Sequence, residues 1–343
     1  MKKTLLFIIT SAILLTACTN VNSNIISKYQ EEPKDYLSIS YTTYNDNQGP
    51  QSGMTTNIMI YDIEKDNLEK LNSVAYTSQY PLGVYSKSDN KIYFSSKNEK
   101  TGNGDELFSM DLETNEKKQL TDDLFAINHI IPRRDNILVV AVKKGTRALR
   151  LVEYDKKTGT ILYNNLEDDD TDVWSICLNI ENENEFYTST YSQAQGYENA
   201  EKQSKKELDR YYYPDNTLTR YKNDFSSKEK IFFFEREKIL SISATDKYLL
   251  IYRDGDSSNY NSMEINRISL DTDEFEEVKI PDAKNISEVQ LDRSNNGIYY
   301  LGSDENYENR GIYYYDLVTG KKKTIFIEEY GVGHINNFML IGN

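Results

Sequence analysis

The chain has 343 residues, 38% of them hydrophobic, and a mean hydropathy of −0.69. That is material for one large globular domain or two ordinary ones, and it excludes a disordered chain and one that crosses a membrane many times. Forty Lys and Arg against 55 Asp and Glu leave a formal charge of −15, which argues against nucleic acid as a partner, since that role is built on neutralising phosphates. Two His and one Trp leave no material for a His-rich metal site or for a repeat that carries a Trp in every unit.

In chain order, residues 1–17 come first. Lys2 and Lys3 precede an apolar run from Leu5 to Leu15, and small residues follow before Cys18, the three-part layout of a secretory signal. The run is too short for an ordinary spanning helix. The end of it, Leu15-Thr16-Ala17-Cys18, resembles the lipobox of bacterial lipoproteins. The resemblance implies diacylglyceryl transfer to the Cys18 thiol, cleavage before it, and an exported chain held by its lipid on the outer side of the cell membrane or another envelope membrane. Residues 18–35 are then the lipidated cysteine and a polar tether, and a 17-residue coil spans roughly 23 Å. Cleavage leaves Cys177 as the one other cysteine, so no disulfide forms within the chain. Within WSICLNI it reads as a small buried apolar residue.

From residue 36 onward, short runs rich in Tyr, Ile, Phe, Leu and Val alternate with Asn, Asp, Gly and Lys clusters, the pattern of many short strands. Two units recur. The first is a turn followed by a strand: DNKIYFSS, DNILVVAV, NENEFYTS, TDKYLLIY, NNGIYYLG and INNFMLIG, marked by Asn90, Asn136, Asn184, Asp246, Asn296 and Asn337. The second is a hairpin, as in LFSMDLETNEKKQL, RLVEYDKKTGTILY and IYYYDLVTGKKKTI. Asp66, Asn115, Gly159, Asp273 and Gly320 are placed at its tight turns, because those residue types tolerate positive φ. Six copies of about 47 residues fill the region, the arithmetic of four-stranded blades closed into a ring.

The region 36–343 resembles bacterial six-bladed propellers of the TolB type, DELFSMDLETNEKKQLTDD being the best-matching segment. The fold class expected is therefore all-β, a six-bladed β-propeller. Its first blade begins at its second strand, DYLSISYTT, and borrows an inner strand from the C-terminal FMLIG.

In such a ring the tight turns emerge on one face and the longer loops on the other. Arg133, Arg134, Lys321, Lys322 and Lys323 fall on the tight-turn face, where the chain also enters. This face is expected to lie toward an anionic membrane, each cation contributing on the order of 1 kcal/mol. The loop face is acidic and carries the longest insertion, about Ser192 to Asn216. Its candidate ligand residues are Tyr197, Tyr211, Tyr212 and Tyr213, with Asp254 and Asp256, and AEKQSKKELDRYYY is expected to form one or two helical turns over the ring.

Catalytic patterns are missing: there is no G-x-S-x-G, C-x-x-C, H-E-x-x-H or glycine-rich phosphate loop. His129 and His334 sit in apolar company as strand-end residues. EDDDTD and DGDSSN offer oxygen ligands but do not match the EF-hand spacing, so they read as solvated loops. No cofactor is implied. The expectation is a surface lipoprotein binding a peptide, protein or glycan without catalysis. The alternatives are a propeller enzyme, either a carboxylate-based carbohydrate hydrolase or lyase or a metal-dependent lactonase-like hydrolase, and a scaffold subunit of an envelope complex.

Overall fold

The computed structural model describes residues 35–45, 53–77, 80–255 and 263–342. The signal, Cys18, the tether up to residue 34 and Asp256 lie outside the described residues.

The described chain is strand after strand, paired with its neighbour in antiparallel register. β1 (Tyr36–Tyr44), β2 (Met54–Asp62) and β3 (Asn67–Ala75) form one sheet with the C-terminal β24 (Gly333–Ile341), in the order β24-β1-β2-β3. β4 (Gly83–Ser86), β5 (Lys91–Lys97), β6 (Asp105–Asp111) and β7 (Lys117–Gln119) form the second sheet. β8 (Leu124–Pro132), β9 (Asn136–Lys143), β10 (Leu149–Asp155) and β11 (Ile161–Tyr163) form the third.

A larger sheet of eight strands follows. One half is β12 (Thr171–Asn179), β13 (Asn182–Ser192), β14 (Asn216–Lys222) and β15 (Lys228–Phe234). The other is β16 (Lys238–Ala244), β17 (Tyr248–Asp254), β18 (Met263–Ser269) and β19 (Phe275–Val278). The halves meet through one parallel pair, Asn179 with Ala244. The last sheet is β20 (Lys284–Leu291), β21 (Gly297–Ser303), β22 (Gly311–Asp316) and β23 (Lys322–Ile327).

Strands covered on both faces lose the apolar-polar alternation of a half-exposed sheet, and GIYYLGS of β21 is buried at every position. What covers them is the next sheet. Leu82 and Val84 pack with Ile127 and Ile137, joining the second sheet to the third. Leu138 and Val140 pack with Phe186, joining the third to β13. Tyr187 meets Ile251 across the two halves of the large sheet, and Leu250 meets Tyr300 beyond it. Tyr299 and Ile312 pack with Leu37 and Ile39, and Ile58 and Ile60 pack with Ile92 and Phe94. The chain of contacts therefore returns to its start, and the sheets stand in a closed ring.

Closure is covalently remote but well bonded. β1 pairs with β24 from Tyr36–Ile341 to Thr43–Gly333, so FMLIG is part of a closing strand. The Arg293 guanidinium, in the β20–β21 turn, donates from Nε to both Asp35 oxygens at 3.2 and 3.0 Å and from Nη2 to Oδ1 at 3.0 Å.

The outer hairpin turns follow local chemistry. Asp66, Asn115, Gly159, Asp273 and Gly320 all have positive φ, between 51° and 73°. Asp111, Asp155 and Asp316 each accept, through Oδ1, the backbone N–H groups two and three residues on, the Asx turn that these residues offer a reversing chain.

Candidate binding site at the mouth of the channel

The innermost strands β8, β12, β16, β20 and β24 surround a cavity of about 640 Å³. Four of them carry β-bulges, and the unpaired residue of a bulge is re-aimed relative to its neighbours. Asn128 on β8, Trp174 on β12, Leu240 on β16 and Asn336 on β24 are each left out of register against the next strand, and each lines the cavity. On β20 the irregular stretch between Lys284 and Glu288 places Ser287 and Glu288 in the same wall.

The two ends of the cavity differ. Toward the long loops stand Tyr80, Trp174, Glu288, Arg310 and Asn336; toward the tight turns stand Ile131, Leu178, Ile180, Met339 and Ile341. Glu288 accepts from Gln290 Nε2 at 2.8 Å and from the Phe338 N–H at 3.4 Å. Burial pushes its carboxyl up to about 7, against the opposing pull of those two donors and of Arg310. Arg310 pairs with Glu328 at 3.3 Å rather than with Glu288. Tyr80 donates to Asn336 O at 3.2 Å, and burial raises its hydroxyl to about 12. His129 Nε2 lies 3.2 Å from Trp174 O, and burial lowers its basicity, so it is neutral at pH 7. Cys177 is a free thiol, part-exposed in the wall, and desolvation raises its pKa.

An aromatic cluster continues from Trp174 over the rim. The Lys238 ammonium lies 4.2 Å from the Trp174 ring centroid and 6.0 Å from that of Tyr213. Burial lowers the Lys238 pKa, with Asp254 opposing. Tyr191 meets Trp174 edge-on at 6.0 Å, and Tyr211 meets Tyr213 edge-on at 5.8 Å. Tyr213 donates to Asp254 Oδ2 at 2.8 Å. Of the residues expected from sequence, then, Tyr211, Tyr213 and Asp254 come together. Tyr197, on the insertion helix, has 71% of its surface exposed and acts electrostatically on Tyr191. Tyr212 belongs to another cluster, the guanidinium groups of Arg210 and Arg236 lying 5.0 and 4.8 Å from its ring centroid.

The insertion between β13 and β14 is helical at α1 (Gln193–Ser204), earlier than the stretch expected from sequence. Ser192 caps it, accepting from the Gln195 N–H at 3.0 Å, while Asp170 Oδ1 takes the Ala194 N–H at 2.6 Å. Lys205 caps its end, Lys206 follows at φ 59°, and residues 205–215 run on without helix or strand. The EDDDTD run is thereby explained by backbone demand. Asp168 takes the Asp170 and Thr171 N–H groups, Asp169 those of Arg147 and Ala148, and Asp172 that of Leu149. No group of three His, Cys, Asp or Glu able to hold a metal occurs among the described residues.

On the opposite face the five expected cations divide. Arg133 is buried, 7% exposed, with both terminal nitrogens 3.4 Å from Asn223 O, so its charge is not presented to solvent. Arg134 is exposed beside Glu183. Lys321 is exposed, Lys322 lies over Tyr313, and Lys323 reaches across to Asp66 at 2.9 Å and the Tyr61 hydroxyl at 2.8 Å. Sequence reasoning missed Trp174, Lys238, Glu288 and Arg310; the single Trp was the one available signal.

The ring has counterparts among solved structures. TolB from Acinetobacter baumannii superposes with a TM-score of 0.57 at 14% identity, covering 89% of this chain, which spans 66% of that protein. The TolB-type structure from Agrobacterium tumefaciens matches at 0.53 and 10% identity, over 86% of this chain and 91% of its own. The β-propeller domain of the trilobed protease from Pyrococcus furiosus matches at 0.51 and 13% identity, over 87% and 83%. The fold is a β-propeller. At these identities the likeness extends to the fold alone. No protein-family model and no curated protein matches the chain.

Proposed function

We propose that the chain is a six-bladed propeller, each four-stranded unit a blade, exported as a lipoprotein anchored through Cys18 and binding a peptide, protein or glycan on its loop face without catalysis. The observation that carries this reading is the continuous surface from the channel wall at Trp174, over Lys238, to Tyr213, Tyr211 and Asp254. Large aromatic faces beside fixed polar groups give contact area at low entropy cost, the composition of binding rims. The insertion that brings Tyr211 and Tyr213 there is the longest loop, and a rigid ring holds it.

Asp35 is tied to the β20–β21 turn, on the tight-turn side, which supports the reading that this side is turned toward the anchoring membrane and the loop face away from it. Lys321, Lys322 and Arg134 are the exposed cations of the five on that face, Arg134 beside Glu183, while Lys323 is held by Asp66 and Tyr61. Two experiments test the reading. Palmitate labelling should be lost in Cys18→Ser, and retained label would remove the anchor. Envelope partners cross-linked to the full chain should be depleted in the Tyr211→Ala/Tyr213→Ala double variant; equal recovery would remove the aromatic rim from the site.

A further inference from the structure

The channel has one feature that ring architecture does not call for. Glu288 stands in its wall with no ion-pair partner among the described residues, while Arg310, the cation nearest in the wall, is taken by Glu328 at 3.3 Å. One oxygen of Glu288 accepts from Gln290 and the other only a long bond from the Phe338 N–H, so both retain accepting capacity. Beyond it, toward the tight turns, Leu178, Ile180, Met339 and Ile341 give the wall an aliphatic strip beside the polar Asn179, Glu183, Gln290 and Asn337. A carboxylate with no ion-pair contact, on which Arg310 acts only from a distance, is costly in such surroundings, and a bound cation lowers that cost.

We propose that the channel binds a ligand carrying a primary ammonium on an unbranched aliphatic stem, the ammonium at the Glu288 carboxylate and the stem along the aliphatic strip. The inference rests on the loop face being the ligand side of the ring, because entry is past Trp174 and Tyr80. The ionisable groups that face Glu288 are Arg310 from the β21–β22 loop and Tyr80 from the β3–β4 loop; His129 on β8, Cys177 on β12 and Glu183 on β13, the last paired with Arg134, line the same cavity. Ammonium binding favours ionised Glu288, so affinity follows the fraction ionised. With its carboxyl near about 7, affinity falls about tenfold between about pH 8 and about pH 6. An alkylamine itself stays protonated across that interval.

The test is calorimetric titration of the full chain with n-octylamine, n-octanol and octanoate, with Trp174 emission as a second readout because it is the chain's one Trp and lines the cavity. The expected result is octylamine binding at least about tenfold tighter than octanol, octanoate not binding, and the preference for the amine lost in Glu288→Gln. Equal binding of amine and alcohol, or an amine affinity flat with pH, overturns the proposal, and the pH series on the unaltered chain decides even if Glu288→Gln does not fold. The Tyr211→Ala/Tyr213→Ala variant separates the two readings. If it loses its envelope partners while no amine binds, the channel proposal fails alone; if amine binds and the partners are unaffected, the aromatic rim fails alone.

Discussion

The Tyr213 hydroxyl donates to Asp254 Oδ2 over 2.8 Å, fastening the end of the β13–β14 insertion to the last residue of β17. Asp254 is 5% exposed, so the bond is made to a charge largely withdrawn from water. Bonds of that kind contribute about 1.5 to 3 kcal/mol. Tyr213→Phe should lower the unfolding free energy by about 1.5 kcal/mol in urea and speed proteolysis within residues 205–213 under native conditions. An unchanged cleavage pattern would mean that the insertion is held by its other contacts.

Glu185 is 6% exposed and receives Arg220 Nε at 2.8 Å, the Tyr187 hydroxyl at 2.6 Å and Asn179 Nδ2 at 3.2 Å. Burial alone would raise its pKa, but the donors outweigh burial and hold the carboxyl below its ordinary value. A folded pKa below the unfolded one contributes stability that is present above the unfolded pKa, about 4.5, and is lost as pH falls through the folded value. Arg220→Met removes the countercharge and should cost about 3 kcal/mol at neutral pH. The same variant should lose less stability than the parent on acidification, which a series of urea midpoints would read.

Glu288 has the opposite sign. Its carboxyl is raised to about 7, so between its unfolded pKa of about 4.5 and about 7 the folded state holds more protons than the unfolded one. Stability from this group is full below about 4.5 and is lost as pH rises toward about 7. Glu288→Gln should therefore be relatively more stable than the parent near neutral pH and should flatten that part of the profile. A thermal midpoint series across the interval would expose a parallel profile, which would place the titrating group elsewhere.

Phe186 is fully buried between sheets, stacked on Tyr221 at 4.7 Å with an interplanar angle of 3° and meeting Phe225 edge-on at 6.4 Å. Phe186→Ala should cost about 4 kcal/mol, and Phe186→Leu much less, because volume rather than the ring pair dominates. Equal losses for the two, measured by denaturant unfolding, would assign the stabilisation to aromatic stacking instead.

The residues that reverse the chain were legible before any fold was in view. Asp66, Asn115, Gly159, Asp273 and Gly320 occupy the positive-φ positions expected of them, since turn conformation is decided within four residues. The expected inner strand at FMLIG lies in β24, which pairs with β1. The insertion helix was misplaced toward residues 200–213 because its start depends on Asp170, more than twenty positions away, which takes the Ala194 N–H. Arg133 looked exposed for a like reason: what buries it is Asn223 O and the Phe186 ring, both contributed by the next sheet.

What the sequence determined by itself is the part of this protein governed by short-range preference: the strand runs, the turns between them, their recurrence at about 47 residues, and the N-terminal motif ending at Cys18. What only the tertiary structure decided is which side chains face the channel. Strand alternation would assign them by parity, but bulges at Asn128, Trp174, Leu240 and Asn336 shift that parity, and a bulge exists only relative to the strand beside it. The grouping of Lys238 with Trp174, and the placing of Glu288 without an ion-pair contact, likewise arise between sheets, where distant stretches of chain meet because the ring closes.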